Sequence, residues 1–301
     1  MKAIWDYCKE YPKFRNVTEI GRGIEYKTFK KSVKKEEFKG AVKGFGRFEK
    51  RINGKKDISI TDVPDYSWLS LEPKDIQNPR SGTKIGLPQV LANRQRSGAD
   101  IWRIKGLIDF SGCPSTDSFL VIRPNQQLSL SLYVIFALIN SPYTSAYMFD
   151  NCLGRNNLEG ILGEMPVPFK SQDLSKLETL AKKYFEFDRA AFSLKDEQEL
   201  KQKKKKCLLE IDAEILRLYD LPPRLEKLLL DCFEGVQRKG VAFKFERYYP
   251  AGLDSYIPLS VFISEEFKTS TVENITKWVE ENRTPAVIEA LKKATEDFQG
   301  E

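Results

Sequence analysis

Histidine is absent from all 301 residues. A Ser-His-Asp or Cys-His catalytic arrangement therefore cannot be assembled within the chain, and imidazole-ligated zinc is excluded with it. Five cysteines (Cys8, Cys113, Cys152, Cys207 and Cys232) are scattered without a Cys-x-x-Cys pair. Neither a four-thiolate zinc site nor a disulfide framework is indicated, and reduced thiols in a cytoplasmic protein are expected. Long apolar runs are missing too. The apolar stretch at residues 128–139 is too short to span a bilayer and is broken by Ser129 and Ser131. Residues 1–14 mix Lys, Glu, Asp and Pro, so no signal peptide is read there. A glycine-rich cofactor motif is lacking, since Gly21-Arg22-Gly23 is too short to form one.

What is present describes a globular protein. Hydrophobic residues make up 41% and charged residues 31%, and the length leaves room for two or three subdomains. The formal charge of +6 and pI near 8.8 are only modestly basic, but the charge is unevenly spread. Lys27, Lys30, Lys31, Lys34, Lys35, Lys39, Lys43, Arg47, Lys50 and Arg51 crowd one stretch with few acids. Arg80, Lys84, Arg94, Arg96, Arg103 and Lys105 form a second group, whereas the final forty residues show no such basic excess.

Three regions follow from the punctuation. Residues 14–170 read as a mixed α/β (α+β) domain with a twisted mixed sheet. Strand-like runs occur at residues 57–60, 89–92 and 118–122, with Gly and Pro between them. An apolar helix follows at residues 128–140, uniform enough all round to be buried against the sheet. It stops at Asn140-Ser141-Pro142, and the domain leaves through Met165-Pro166-Val167-Pro168-Phe169. Residues 171–235 read as a helical hairpin or bundle. Leu174, Leu177, Ala181 and Tyr184 make one apolar face, and Leu208, Ile211, Ile215 and Leu218 make another. Asp220-Leu221-Pro222-Pro223 ends the second helix, and Gly235 closes a third as a C′ residue. The charged face at 203–206 reads as solvated. Residues 236–301 comprise an irregular aromatic segment and a small helical C-terminal region, with a capping box at Ser270 and Glu273 and a helix start at Thr284-Pro285.

Several blocks in fixed order carry a family resemblance: Val17 to Ile24; Gly86-Leu87-Pro88-Gln89-Val90-Leu91; Trp102 to Asp109; Phe119-Leu120-Val121-Ile122-Arg123-Pro124; Asn140-Ser141; Gly154-Arg155-Asn156-Asn157; and Pro166-Val167-Pro168. The chain resembles the target recognition domain with which restriction–modification proteins read DNA. The likeness is to the C-terminal specificity region of adenine-specific DNA methyltransferases and type IIG enzymes, and to type I specificity subunits. The helix ending Leu218-Tyr219-Asp220-Leu221 is similar to one that trails these domains, except that Asp220 stands where glycine is usual. The resemblance covers residues 14–235 and implies sequence-specific binding of double-stranded DNA beside a DNA methyltransferase subunit. A second copy pairing through the helical region is a further implied partner, with intramolecular packing of that face as the alternative. No membrane partner is expected.

The methylase's own chemistry is missing. Adenine amino-methyltransferases carry a polar residue before Pro-Pro and an aromatic after it, whereas here Leu221 and Arg224 flank Pro222-Pro223. No catalytic, cofactor or metal residues are therefore assigned. Asp65, Glu72 and Lys74 imitate a nuclease metal site, but the acids lie close in sequence and Pro73 interrupts the strand that should carry them. A metal-dependent endonuclease, or an interaction scaffold without DNA reading, remains as the alternative function.

For DNA reading, Lys and Arg neutralise phosphates, while Arg pairs with guanine and Asn or Gln with adenine. Lys43, Arg47 and Lys84 are expected to face the backbone. Asn93, Arg94, Gln95 and Arg96 concentrate base-reading chemistry in one loop. Arg155, Asn156 and Asn157 lie where the family has a DNA-facing loop. Either loop, taken singly, is equally well read as ordinary polar surface. Tyr66 and Trp68 suit base stacking or, more readily, the core.

Overall fold

The computed structural model describes residues 1–46, 60–61, 65–96, 100–125, 130–168, 174–189, 197–250 and 257–269. Within them the strands are β1 (Thr18–Arg22), β2 (Glu25–Tyr26), β3 (Val33–Lys34), β4 (Ala41–Gly44), β5 (Ser67–Ser70), β6 (Ile76–Asn78), β7 (Gln89–Asn93), β8 (Gly106–Asp109) and β9 (Phe119–Pro124). The helices are α1 (Lys2–Cys8), α2 (Phe14–Val17), α3 (Phe29–Ser32), α4 (Leu132–Ile139), α5 (Pro142–Asn151), α6 (Glu159–Glu164), α7 (Leu174–Arg189), α8 (Glu197–Tyr219), α9 (Pro223–Asp231), α10 (Leu259–Phe262) and α11 (Glu265–Thr269). The fold is α+β: after α1 and α2 the strands are gathered in residues 18–124, interrupted only by the short α3 and one 3-10 turn, and the remaining helices follow.

The central sheet runs β1-β9-β7-β8, antiparallel throughout. Period-two alternation divides its side chains between two faces. Val90, Ala92, Ile108, Leu120 and Ile122 point into the main core with α4, whereas Leu91, Leu107, Phe119 and Val121 pack with Phe45 on the other side. Both faces being covered, β7 and β9 read as continuous apolar runs. The remaining strands form the sheets β3-β5-β4 and β2-β6. Parallel pairing, expected of a mixed sheet, is confined among the described residues to the single bridges Ile24↔Thr116 and Phe45↔Ser115. Through them residues 113–118 join the small sheets to the large one. Gly23 must be small there, because a Cβ would lie 1.9 Å from the Thr116 carbonyl oxygen.

Helix α4 is buried all round, with Val134 through Ile139 each no more than 1% exposed. Side chains of this kind contribute about 1.5–3 kcal/mol each on burial. Its end is set by Asn140, whose side-chain amide donates to the Gly106 carbonyl (2.9 Å) and whose Oδ1 accepts from the Gly106 N–H (3.0 Å). Gly106 sits so near the helix that a Cβ would come within 2.7 Å of Ile139 Cγ2. Ser141 then caps α5, accepting from the Thr144 N–H, with Pro142 in the first turn. The Pro-x-Pro exit pairs with the start of the domain: Val167 N–H donates to Pro12 O (2.8 Å) and Phe14 N–H to Met165 O (2.8 Å).

Helices α7 and α8 pack on each other and on α4. Leu208, Ile211 and Ile215 are buried in the same core as the sheet, so this face is used within the chain. Helix α8 ends with Asp220 at φ 46°, a left-handed position that glycine occupies more readily. Gly235 is also left-handed, but it follows a further turn beyond α9 and its N–H donates to Glu246 O. It is therefore not the residue that closes α9; Cys232 takes the C-cap. Helix α1 slots against this assembly. Trp5 meets Tyr143 and Tyr147 edge-on, and Tyr7 and Tyr11 donate to the carbonyls of Asp220 and Tyr219. The cysteines are free, and burial pushes the Cys8 thiol up to about 11 and the Cys207 thiol to about 12. No helix among the described residues is long and apolar enough to cross a membrane.

The segment after α9 is held by a buried ion pair. Arg238 bonds Asp212 through both terminal nitrogens and donates to Asn140 O (2.6 Å), while Tyr248 donates to Asp212 (2.8 Å). Trp102 and Phe245 flank the guanidinium. The strand run read at residues 57–60 lies outside the described residues except for Ile60. The helix read from residue 128 begins instead at Leu132, where the Ser131 hydroxyl accepts from the Val134 N–H; the capping box at Ser270 and the start at Thr284 lie outside the described residues.

Candidate nucleic-acid interface

Strand β7 leaves the sheet at Asn93, and the loop between α5 and α6 returns at Asn157. Both asparagines are buried, and they bond each other's surroundings. Asn157 Nδ2 donates to Asn93 O (2.8 Å), and Asn93 Nδ2 donates to Gln95 O (2.6 Å) and Arg103 O (3.1 Å). Asn93 Oδ1 accepts from Lys105 N–H (2.7 Å). Arg103, itself 2% exposed, completes the lock: its Nε donates to Asn157 Oδ1 (2.9 Å), and one terminal nitrogen donates to Gly154 O (2.6 Å) and Asn156 O (3.2 Å).

The two loops are thereby joined edge to edge. Asn157 N–H donates to Arg94 O (2.6 Å), Arg96 N–H to Arg155 O (3.1 Å), and Gln95 bridges Asn156. Residues 93–96 and 154–157, distant in sequence, form one surface. Gln95, Arg96 and Arg155 are exposed and Asn156 is half-buried. Asn93 and Asn157, expected to read bases, instead have their amide groups engaged inside the chain. Their chemistry holds the loops, because the bonding capacity that would meet adenine is satisfied by backbone and, at Asn157 Oδ1, by Arg103.

Arg94 is tied down too, donating to the Asp117 carboxylate at 2.6 Å. It belongs to a row of paired arginines running towards β2: Arg22 with Glu159 (2.6 Å) and Arg80 with Glu25 (2.9 Å). The hydrogen bond from Arg80, with the fields of Arg22 and Arg94 adding to it, holds the Glu25 carboxyl below its usual range. Burial lowers the Arg103 pKa, with nearby Arg96 adding to the effect against the opposing Cys152 thiol. Arg96 and Arg155 form no ion pair among the described residues. Asp117 and Glu159 pair with arginines, Asp100 with Lys239 (3.2 Å), and Asp150 accepts from the Trp5 N–H (2.6 Å).

The other expected contacts are dispersed. Lys43, exposed on β4, lies 4.1 Å from the Tyr66 ring centroid, and Tyr66 stacks on Phe45. Trp68 is half-buried in β5 opposite Lys34 and Lys43. Lys84 pairs with Glu19 at 3.0 Å beside β1. Arg47 lies outside the described residues. Sequence reasoning missed Asp117 and the locking role of Arg103; the block from Trp102 to Asp109 was the only signal for the latter.

The nuclease-like acids do not converge. Glu72 bonds Lys74 at 2.5 Å in the turn after β5, where Asp75 accepts from the Ser70 hydroxyl. Among the described residues no group of three or more Cys, Asp or Glu side chains is arranged to hold a metal. Pro222 and Pro223 begin α9, with Leu221 fully buried. Compared with known proteins, the chain matches no family model and has no significant match among curated proteins.

Proposed function

We infer that the chain reads double-stranded DNA sequence for a separate methyltransferase or restriction complex and leaves the chemistry to that partner. The observation that carries this reading is the fused loop pair. Gln95, Arg96, Arg155 and Asn156 present hydrogen-bonding groups of the kinds that discriminate adenine and guanine. They stand on a frame fixed by Asn93, Asn157 and Arg103, so little ordering remains to be done on binding. Arg96 and Arg155 carry the positive charge of the loops, whereas the arginines at 22, 80 and 94 are each paired with a carboxylate; Lys43, and Lys84 once released from Glu19, would supply further phosphate contacts.

Selection of bound sequences from random duplex DNA tests the reading. The full chain should recover a motif, and Arg96→Ala or Arg155→Ala should each relax one position of it, at about 1–3 kcal/mol of discrimination. A motif that both substitutions leave unchanged removes the loop pair from the interface. Failure to recover any motif removes the function.

A further inference from the structure

Leu153 is 94% exposed, far more than any other large apolar side chain described. It stands in the loop between α5 and α6, and its neighbours leave it no room to be an accident of slack chain. Cys152 before it is 2% exposed and its N–H donates to Met148 O (3.0 Å), closing α5. Gly154 after it gives its carbonyl to the buried Arg103. The backbone is anchored on both sides of one projecting leucine.

Its surroundings are those of the proposed DNA surface. Arg155 follows two residues on, and Arg96 is bonded to the Arg155 carbonyl. Leu158, 45% exposed, closes the same loop. An exposed apolar side chain two residues from Arg155, in a loop bonded to Arg96 and Arg103, suits a ligand with an anionic surface and an apolar stacked interior. Duplex DNA has both. Side chains of this type, pushed between base pairs, unstack the step and kink the helix.

We propose that Leu153 is a wedge that enters the duplex between neighbouring base pairs where the loop pair lands. This rests on the DNA-reading function above and adds a mechanical element to it: recognition through deformation of one step, besides contacts to base edges.

The test uses the full chain and duplexes carrying 2-aminopurine at successive positions of a bound fragment, with fluorescence anisotropy recording binding in the same samples. Wild-type protein should raise 2-aminopurine emission several-fold at one step. Leu153→Ala should abolish that rise while binding persists, and Leu153→Phe should restore it. An unchanged thermal melting curve for Leu153→Ala, expected for so exposed a site, excludes misfolding. Binding without enhanced emission at any position overturns the wedge but leaves DNA reading intact. So does a rise that survives Leu153→Ala, which would assign the unstacking to another side chain. Absence of DNA binding by the wild type overturns both.

Discussion

Two buried arginines fasten two parts of this molecule, and they are treated differently. Arg238 clamps the segment after α9 to the core and meets a carboxylate, Asp212, in two hydrogen bonds. Arg103 clamps the loop pair and meets only neutral oxygens, those of Asn157, Gly154 and Asn156. The electrostatic response follows. Burial alone would lower the Arg238 pKa, but Asp212 outweighs it and raises it; at Arg103 burial prevails and lowers it. A buried charge without a counter-ion is costly. At Arg238 the charge is cancelled and the residue is architectural, whereas at Arg103 it adds to Arg96 and Arg155 at a surface proposed to bind an anion.

The largest effect should come from breaking the cancelled pair. Arg238→Ala strands Asp212, and loss of one member of a buried pair costs about 3–5 kcal/mol. Urea unfolding of the variant should show that loss, with DNA affinity unchanged wherever the protein remains folded. A drop below about 1 kcal/mol would mean that the strap is not held as described.

Arg103→Ala should cost less stability, about 1–3 kcal/mol for acceptors left without a donor, but it should weaken DNA binding more than Arg238→Ala does. The contrast between the two regions fails if affinity survives Arg103→Ala in protein that is still folded.

A smaller effect extends the comparison to acid. Burial disfavours ionised Glu214, but hydrogen bonds from Arg217 and Lys176 outweigh it and bring its pKa below the ordinary 4.5. Its stabilisation is therefore present above that value and disappears as pH falls through the depressed one. Urea midpoints between neutral and acid pH should fall less steeply for Glu214→Gln than for wild type. Identical slopes would remove Glu214 from the account.

The same contrast bears on what was legible in the sequence. Strands β7 and β9 and helix α4 are strongly patterned, because residues buried on two faces or all round leave long apolar runs. The boundary at Asn140-Ser141-Pro142 is equally clear, since capping chemistry is local. The loop pair was legible only in part. Asn93 and Asn157 carry the amide chemistry of base readers, but an amide that bonds adenine and one that bonds backbone are identical in sequence. Burial separates them, and burial depends on Arg103, ten residues from one asparagine and far from the other. Arg238 and Asp212 were illegible for the same reason, as their pairing spans 26 residues of unrelated pattern.

The most direct measurement is the dependence of duplex affinity on salt, by fluorescence anisotropy of the full chain with a labelled duplex pool. The account predicts a linear fall of log K with log salt, at roughly 0.9 per neutralised phosphate, with a shallower slope after joint replacement of Arg96 and Arg155 by alanine. No binding at the lowest salt, or affinity indifferent to salt, would contradict it.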